Sequence, residues 1–160
     1  MKIDKQQILD LIITCLRADL AIAEQAVAVA RDTATHADAQ GSSRYETMGL
    51  EASYLAQGQG LRLLEVELAL ASFTRLKLAE PGPRIGISSL LCLKDENGKT
   101  QLLWLASDAG GLKVQYKEMD ITVITPKSPL GRALIGKAAT DSLEISIAGE
   151  ERCYEIEAVY

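Results

Sequence analysis

The sequence predicts an α+β fold: an antiparallel helical coiled-coil hairpin, then a small, mostly antiparallel sheet domain carrying one short helix. Three observations predict it. No proline occurs before Pro81, and up to that point apolar residues recur every three or four positions. From residue 85 onward they fall instead in short strand-like runs separated by turn residues. Between the two patterns lies "AEPGPRIG", residues 79–86, a proline- and glycine-rich joint. The expected division is therefore 1–79 for the hairpin and 80–160 for the sheet domain.

In the first helix Leu9, Ile12, Leu16, Leu20, Ala23, Val27, Ala30, Ala34 and Ala37 form a heptad-like stripe. A helix over residues 4–38 would be roughly 50 Å long at about 1.5 Å per residue. "HADAQGSSRYE", residues 36–46, breaks it, with Gly41, Ser42 and Ser43 as the helix-breaking cluster. In the second helix Leu50, Tyr54, Gln57, Leu61, Leu64, Leu68 and Ala71 repeat the spacing. Neither helix could bury such a stripe alone, so the two are expected to face each other. Gly58 and Gly60 are read as close helix packing or local bending. The seam narrows from Leu and Ile near the joint to Ala toward the break, and charge changes with it. Residues 18–61 contain six acids (Asp19, Glu24, Asp32, Asp38, Glu46, Glu51) and two bases (Arg31, Arg44). That half of the hairpin is either an ordinary solvated face or a finger suited to an electropositive or metal-bearing cavity.

In the second half, "IGISSLLCL", "TQLLWLA", "LKVQY", "ITVIT", "SLEISI" and "CYEIEAV" read as strands, with a hairpin signal at Asn97-Gly98 and a turn at "DAGG". The helical interruption is "SPLGRALIGK", residues 128–137. Ser128 N-caps it, Pro129 takes the first helical position, Leu130, Ala133 and Leu134 form its apolar face, and Gly136 ends it. Lys127, Arg132 and Lys137 make this stretch basic.

Composition narrows the function. Apolar residues make up 48% of the chain but aromatic ones only 4%, so the core is aliphatic. A net charge of −5 speaks against duplex nucleic acid as the main partner. Cys15, Cys92 and Cys153 lack metal-ligand spacing and are expected to be buried, reduced thiols of a cytoplasmic protein. The first twenty residues are too often charged for a signal peptide or a membrane span. His36, the single histidine, has no nucleophile motif near it and is expected in an exposed loop. No glycine-rich strand–loop–helix element suggests nucleotide binding. The remaining candidates are acids at the break. Asp38 and Glu46 either cap helix ends in solvent or present a carboxylate that completes the Mg²⁺ shell of another protein's active site.

The hairpin, the joint and the run at residues 128–137, followed by Thr140-Asp141-Ser142-Leu143 and Tyr154-Glu155-Ile156, together resemble the Gre family of bacterial transcript-cleavage factors. The strongest match is residues 121–160, with Thr140 where a glycine is usual. The resemblance implies an FK506-binding-protein-like sheet domain and attachment to RNA polymerase at its secondary channel. It implies a hairpin tip at about residues 38–46 approaching the polymerase active site, with Asp38 and Glu46 nearest its Mg²⁺ and with Arg44 and Tyr45 as support. Anchored on Tyr45, Asp38 falls on the first of two family acids, but Gly41 replaces the second. Glu46 lies outside the motif position, so transcript cleavage is in question. Lys127, Ser128, Pro129, Arg132 and Lys137 are candidates for contact with the polymerase or with the nascent RNA 3′ end, alongside their structural role.

The expected function is that of a polymerase-binding factor that modulates cleavage or elongation. It would act as a monomer, without intrinsic cofactor, membrane attachment or enzymatic chemistry of its own. Alternatives are a channel-occupying competitor that does not stimulate cleavage, a prolyl isomerase using the sheet domain, and a plain oligomerising coiled coil.

Overall fold

The computed structural model describes residues 2–39 and 43–160, and the side chains of residues 2–36 and 46–160. Helices α1 (Lys5–Ala39) and α2 (Ser43–Arg75) form the N-terminal hairpin. A six-stranded sheet follows: β1 (Leu90–Asp95), β2 (Thr100–Leu105), β3 (Lys113–Tyr116), β4 (Met119–Ile124), β5 (Ser142–Ile147) and β6 (Glu150–Val159). The short helix α3 (Pro129–Leu134) lies between β4 and β5. The strand order is β3-β4-β2-β1-β6-β5. Every neighbouring pair is antiparallel except β2 and β4, which run parallel with Leu102 opposite Ile121 and Leu105 opposite Ile124.

The chain divides into two compact units, Met1–Ile13 with Ser72–Tyr160, and Thr14–Ala71. The first holds the large side chains. Leu91, Leu93, Leu105, Leu134 and Ile156 are fully buried, with Leu103, Leu143 and Tyr154 beside them, and Leu130 and Ala133 of α3 pack on this cluster. The first turn of α1 belongs to the same unit. Its backbone is capped by Asp4, whose Oδ1 accepts from the amides of Gln6 and Gln7. Lys5 donates from Nζ to the Tyr160 carbonyl at 3.1 Å and stands 5.8 Å over the buried Trp104 ring. Burial lowers the Lys5 ammonium pKa, an effect that the nearby Glu80 carboxylate partly opposes.

The second unit, Thr14–Ala71, is built on small residues. Most of the α1 stripe is buried: Leu9 and Ile12 in the first unit, then Leu16, Ala23, Val27, Ala30 and Ala34 in the second, while Leu20 is half-buried and the Ala37 side chain lies outside the described residues. The α2 stripe is not. Leu50, Tyr54, Leu61, Leu64 and Leu68 are exposed, and α2 instead buries Gly49, Ala52, Val66, Ala69 and Phe73, with Ala56, Gln59 and Leu63 half-buried. The helix carries two interleaved sets at heptad spacing, and periodicity alone does not say which turns inward. An alanine-rich seam on α1 admits a close partner only if the facing residues are small, and the set containing Gly49, Ala52 and Ala56 meets that condition.

Three smaller expectations also change. A methyl group built on Gly58 or Gly60 would meet nothing within 4 Å, so neither glycine serves close packing within the chain. His36 lies in the last turn of α1 rather than in a loop, its Nδ1 2.9 Å from the Asp32 carbonyl. The cysteines are free, but Cys153 is exposed and Cys15 and Cys92 are only partly covered. Among the described residues no helix is long and apolar enough to cross a membrane.

Candidate functional site

α3 is defined by local chemistry. Ser128 sits in extended conformation, accepts from the Gly131 amide at 3.0 Å and donates its own hydroxyl to the Thr125 carbonyl at 2.9 Å. Pro129 fills the first helical position, where no amide is required. Gly131 is packed so closely that a Cβ there would collide with the Thr125 carbonyl. The chain leaves the helix through Gly136 at φ 79°, a conformation open to glycine at little strain. Ser128 and Pro129 are thereby accounted for as the cap and the start of a helix.

The basic residues have no such structural duty. Lys127 and Arg132 are exposed and Lys137 is half-covered. The Arg132 guanidinium reaches back to the Lys127 carbonyl at 3.1 Å, which fixes its direction along the helix start. Arg84, from the joint, reaches the same region: its Nη1 donates to the Gly136 carbonyl at 2.7 Å. The Ile85 amide donates to the Lys137 carbonyl and the Gly136 amide to the Ile85 carbonyl, so the joint is zipped onto the exit of α3. None of the ion pairs among the described residues involves Arg84, Lys127, Arg132 or Lys137. Four basic side chains thus come from the joint and the two ends of α3, none of them ion-paired among the described residues, a distribution suited to an anionic surface. Arg84 was not anticipated from the sequence. It is 52 positions away from its acceptor, and no local signal connects the two.

At the other candidate region, Glu46 lies exposed in the first turn of α2, where an acid interacts favourably with the helix N-terminus. Asp38 falls within the last turn of α1, the electrostatically unfavourable end for an acid. Its side chain, those of Arg44 and Tyr45, and Gly41 lie outside the described residues. Among the described residues no group of three or more His, Cys, Asp or Glu side chains is placed to hold a metal ion.

Trp104, Tyr116 and Tyr154 are core residues, exposed by 0%, 3% and 9%. A groove of about 810 Å³ in the sheet unit is lined by polar and apolar residues alike, among them Lys2, Asp4, Glu80, Ile3, Leu78 and Tyr116.

No protein-family model matches the sequence. Curated relatives do. The chain is 29% identical over 136 residues to the transcription elongation factor GreA of Brucella canis, a match covering 84% of this chain and 79% of that protein. GreA of Brucella suis matches to the same extent. Among solved structures, the transcription factor Gfh1 aligns over 92% of both chains at 20% identity with a TM-score of 0.40. Gfh1 of Thermus aquaticus aligns over 90% of this chain and 95% of that one at 23% identity with a TM-score of 0.39.

Proposed function

We propose that this chain, a relative of the Gre transcription elongation factors, binds RNA polymerase and modulates elongation from its secondary channel. The observation that carries this reading is the match to GreA across 84% of the chain. The helical hairpin and the basic side chains around α3 fit it. In this reading the Arg84, Lys127, Arg132 and Lys137 side chains meet an acidic surface of the polymerase or the phosphates of a displaced RNA 3′ end. The hairpin tip carries Asp38 and Glu46 toward the Mg²⁺ of the polymerase, which supplies the hydrolytic chemistry. The chain itself contributes position and at most one or two carboxylate oxygens. It works in the cytoplasm as a factor, not as an enzyme.

A second reading is favoured by one residue. Gly41 stands where the family motif has its second acid. With one carboxylate fewer the factor occupies the channel and excludes others without stimulating cleavage. The test is RNA cleavage in a backtracked elongation complex with Mg²⁺, comparing the wild type with Asp38→Ala and Glu46→Ala. Stimulation that is lost in either variant supports delivery of a metal ligand. Binding without stimulation supports the competitor. Failure to bind or to compete with channel-binding factors at about micromolar protein would sink both.

A further inference from the structure

The exposed stripe of α2 is not a scatter of surface leucines. Leu50, Tyr54, Leu61, Leu64 and Leu68 are 55%, 64%, 66%, 50% and 57% exposed. With Gln57 and Ala71 they alternate spacings of four and three without a break from residue 50 to residue 71. This is the 3.5-residue period of a coiled-coil seam, and it lies on a helix that already buries a different seam. A helix with one buried face normally turns polar residues outward at these positions. An exposed strip of five large apolar side chains, interrupted by Gln57, marks an interaction surface.

Two further features say what kind of partner covers it. The positions flanking the stripe are Glu51, Ser53, Gly58, Gly60, Glu65 and Glu67. They include three acids and no base. Arg62, farther round the helix, pairs with Glu65 at 3.6 Å, leaving Glu51 and Glu67 to set the sign of the edge. In a coiled coil these flanking positions choose the partner by opposite charge. A second copy of this chain would offer these acids no base and is disfavoured. The two glycines add a steric point. Glycine is among the poorest residues for a helix interior, and here neither is packed against anything. Two positions apart, they fall on opposite edges of the stripe near its middle, where no side chain stands in the way of another helix.

We propose that this face of α2 binds an α-helical segment of another protein, one that presents leucine-like side chains at heptad spacing with lysine or arginine beside them. The inference does not depend on the polymerase reading, since it rests on the stripe, its flanks and the uncovered glycines alone.

The probes are two synthetic helical peptides with leucine at the a and d positions, one carrying lysine and the other glutamate at e and g. Each is labelled and titrated with the full chain, followed by fluorescence anisotropy at near-physiological salt. The lysine peptide is expected to bind, and the glutamate peptide at least about tenfold more weakly. Leu61→Glu with Leu68→Glu adds acid but removes the apolar seam, and it is expected to abolish binding while far-UV circular dichroism stays unchanged. Glu51→Lys with Glu67→Lys leaves the seam intact and is expected to invert the preference between the peptides. Gly58→Ala with Gly60→Ala is expected to raise the melting temperature and weaken binding. Equal affinity for the two peptides would overturn the proposal, as would binding that survives the Leu61→Glu, Leu68→Glu change. So would a wild-type dimer in sedimentation equilibrium that this change dissociates, because a second copy would then be the occupant.

Discussion

In the sheet unit Leu90, Leu91, Leu93, Leu105 and Leu134 are sealed from solvent at 0% exposure, whereas in α2 Leu50, Leu55, Leu61, Leu64 and Leu68 are each at least half exposed. The interior of the distal hairpin is made instead of Ala23, Val27, Ala30, Ala34 and Ala52. The same residue type is structural in one region and surface in the other. Burial in a helix pair is therefore decided by the facing seam rather than by hydrophobicity. An alanine seam pulls the partner backbone close and leaves no room for leucine, so the larger side chains turn outward. In the sheet unit large side chains from β1, β2, β5, β6 and α3 share one cluster, and size is what fills the space.

The two regions should differ most under one substitution made in both. Leu93→Ala in the sheet core is expected to lower unfolding free energy by about 3 kcal/mol, and Leu61→Ala on α2 by less than about 0.5 kcal/mol. Chemical denaturation of the two variants measures the gap, and equal losses would show that the α2 stripe is already covered. The opposite change probes the small seam. Ala30→Leu should destabilise by about 2 kcal/mol through overpacking, with the loss confined to hydrogen-exchange protection in Thr14–Ala71. A neutral result would mean that the helices are not held at alanine distance.

Smaller effects sharpen the account of the sheet unit. Thr140 adopts φ 73°, a left-handed conformation that a β-branched residue enters under strain. Thr140→Gly should therefore stabilise the protein by up to about 1 kcal/mol, read as a higher midpoint in urea. The smallest effect concerns Cys92, whose thiol is raised from its ordinary 9.0 to about 11, first by burial and then by the Glu157 carboxylate beside it. Below pH 9 the thiol is protonated in both folded and unfolded chains, and its contribution is fully present. As pH rises from 9 toward 11 the unfolded chain loses its proton first, and stability falls. Because the group is only partly buried, the effect should stay below about 1 kcal/mol. It appears as the difference between wild-type and Cys92→Ala unfolding across that window, and thiol labelling at about pH 8 should reach Cys153 before Cys92.

What could be read in advance was local. The cap at Ser128, the proline after it and the stop at Gly136 define α3 within ten residues, and the structure reproduces each. The strands stand out because alternation and turn residues such as Asn97-Gly98 are short-range signals. Thr140 was noted only as a departure from a usual glycine, and its left-handed backbone became visible in the structure. The parallel pairing of β2 with β4 could not be read, since it depends on where β3 folds back. Nor could the inward face of α2, because two apolar sets share one helix at the same spacing. In the candidate site, Lys127, Arg132 and Lys137 were visible as a run of bases, but Arg84 joins them only through a hydrogen bond to the Gly136 carbonyl across the fold.

The place of β6 has a consequence for how the molecule is made. This strand is the last of the six to leave the ribosome, yet it lies between β1 and β5 and contributes Tyr154 and Ile156 to the core. Until it arrives, β1 has one open edge and β5 has no neighbour in the sheet. The hairpin needs only contacts between segments already synthesised and can form early, whereas the sheet must wait for its closing strand. During that interval Leu91 and Leu93 lie along an incomplete edge, which makes the nascent sheet the most aggregation-exposed stage in the life of the protein.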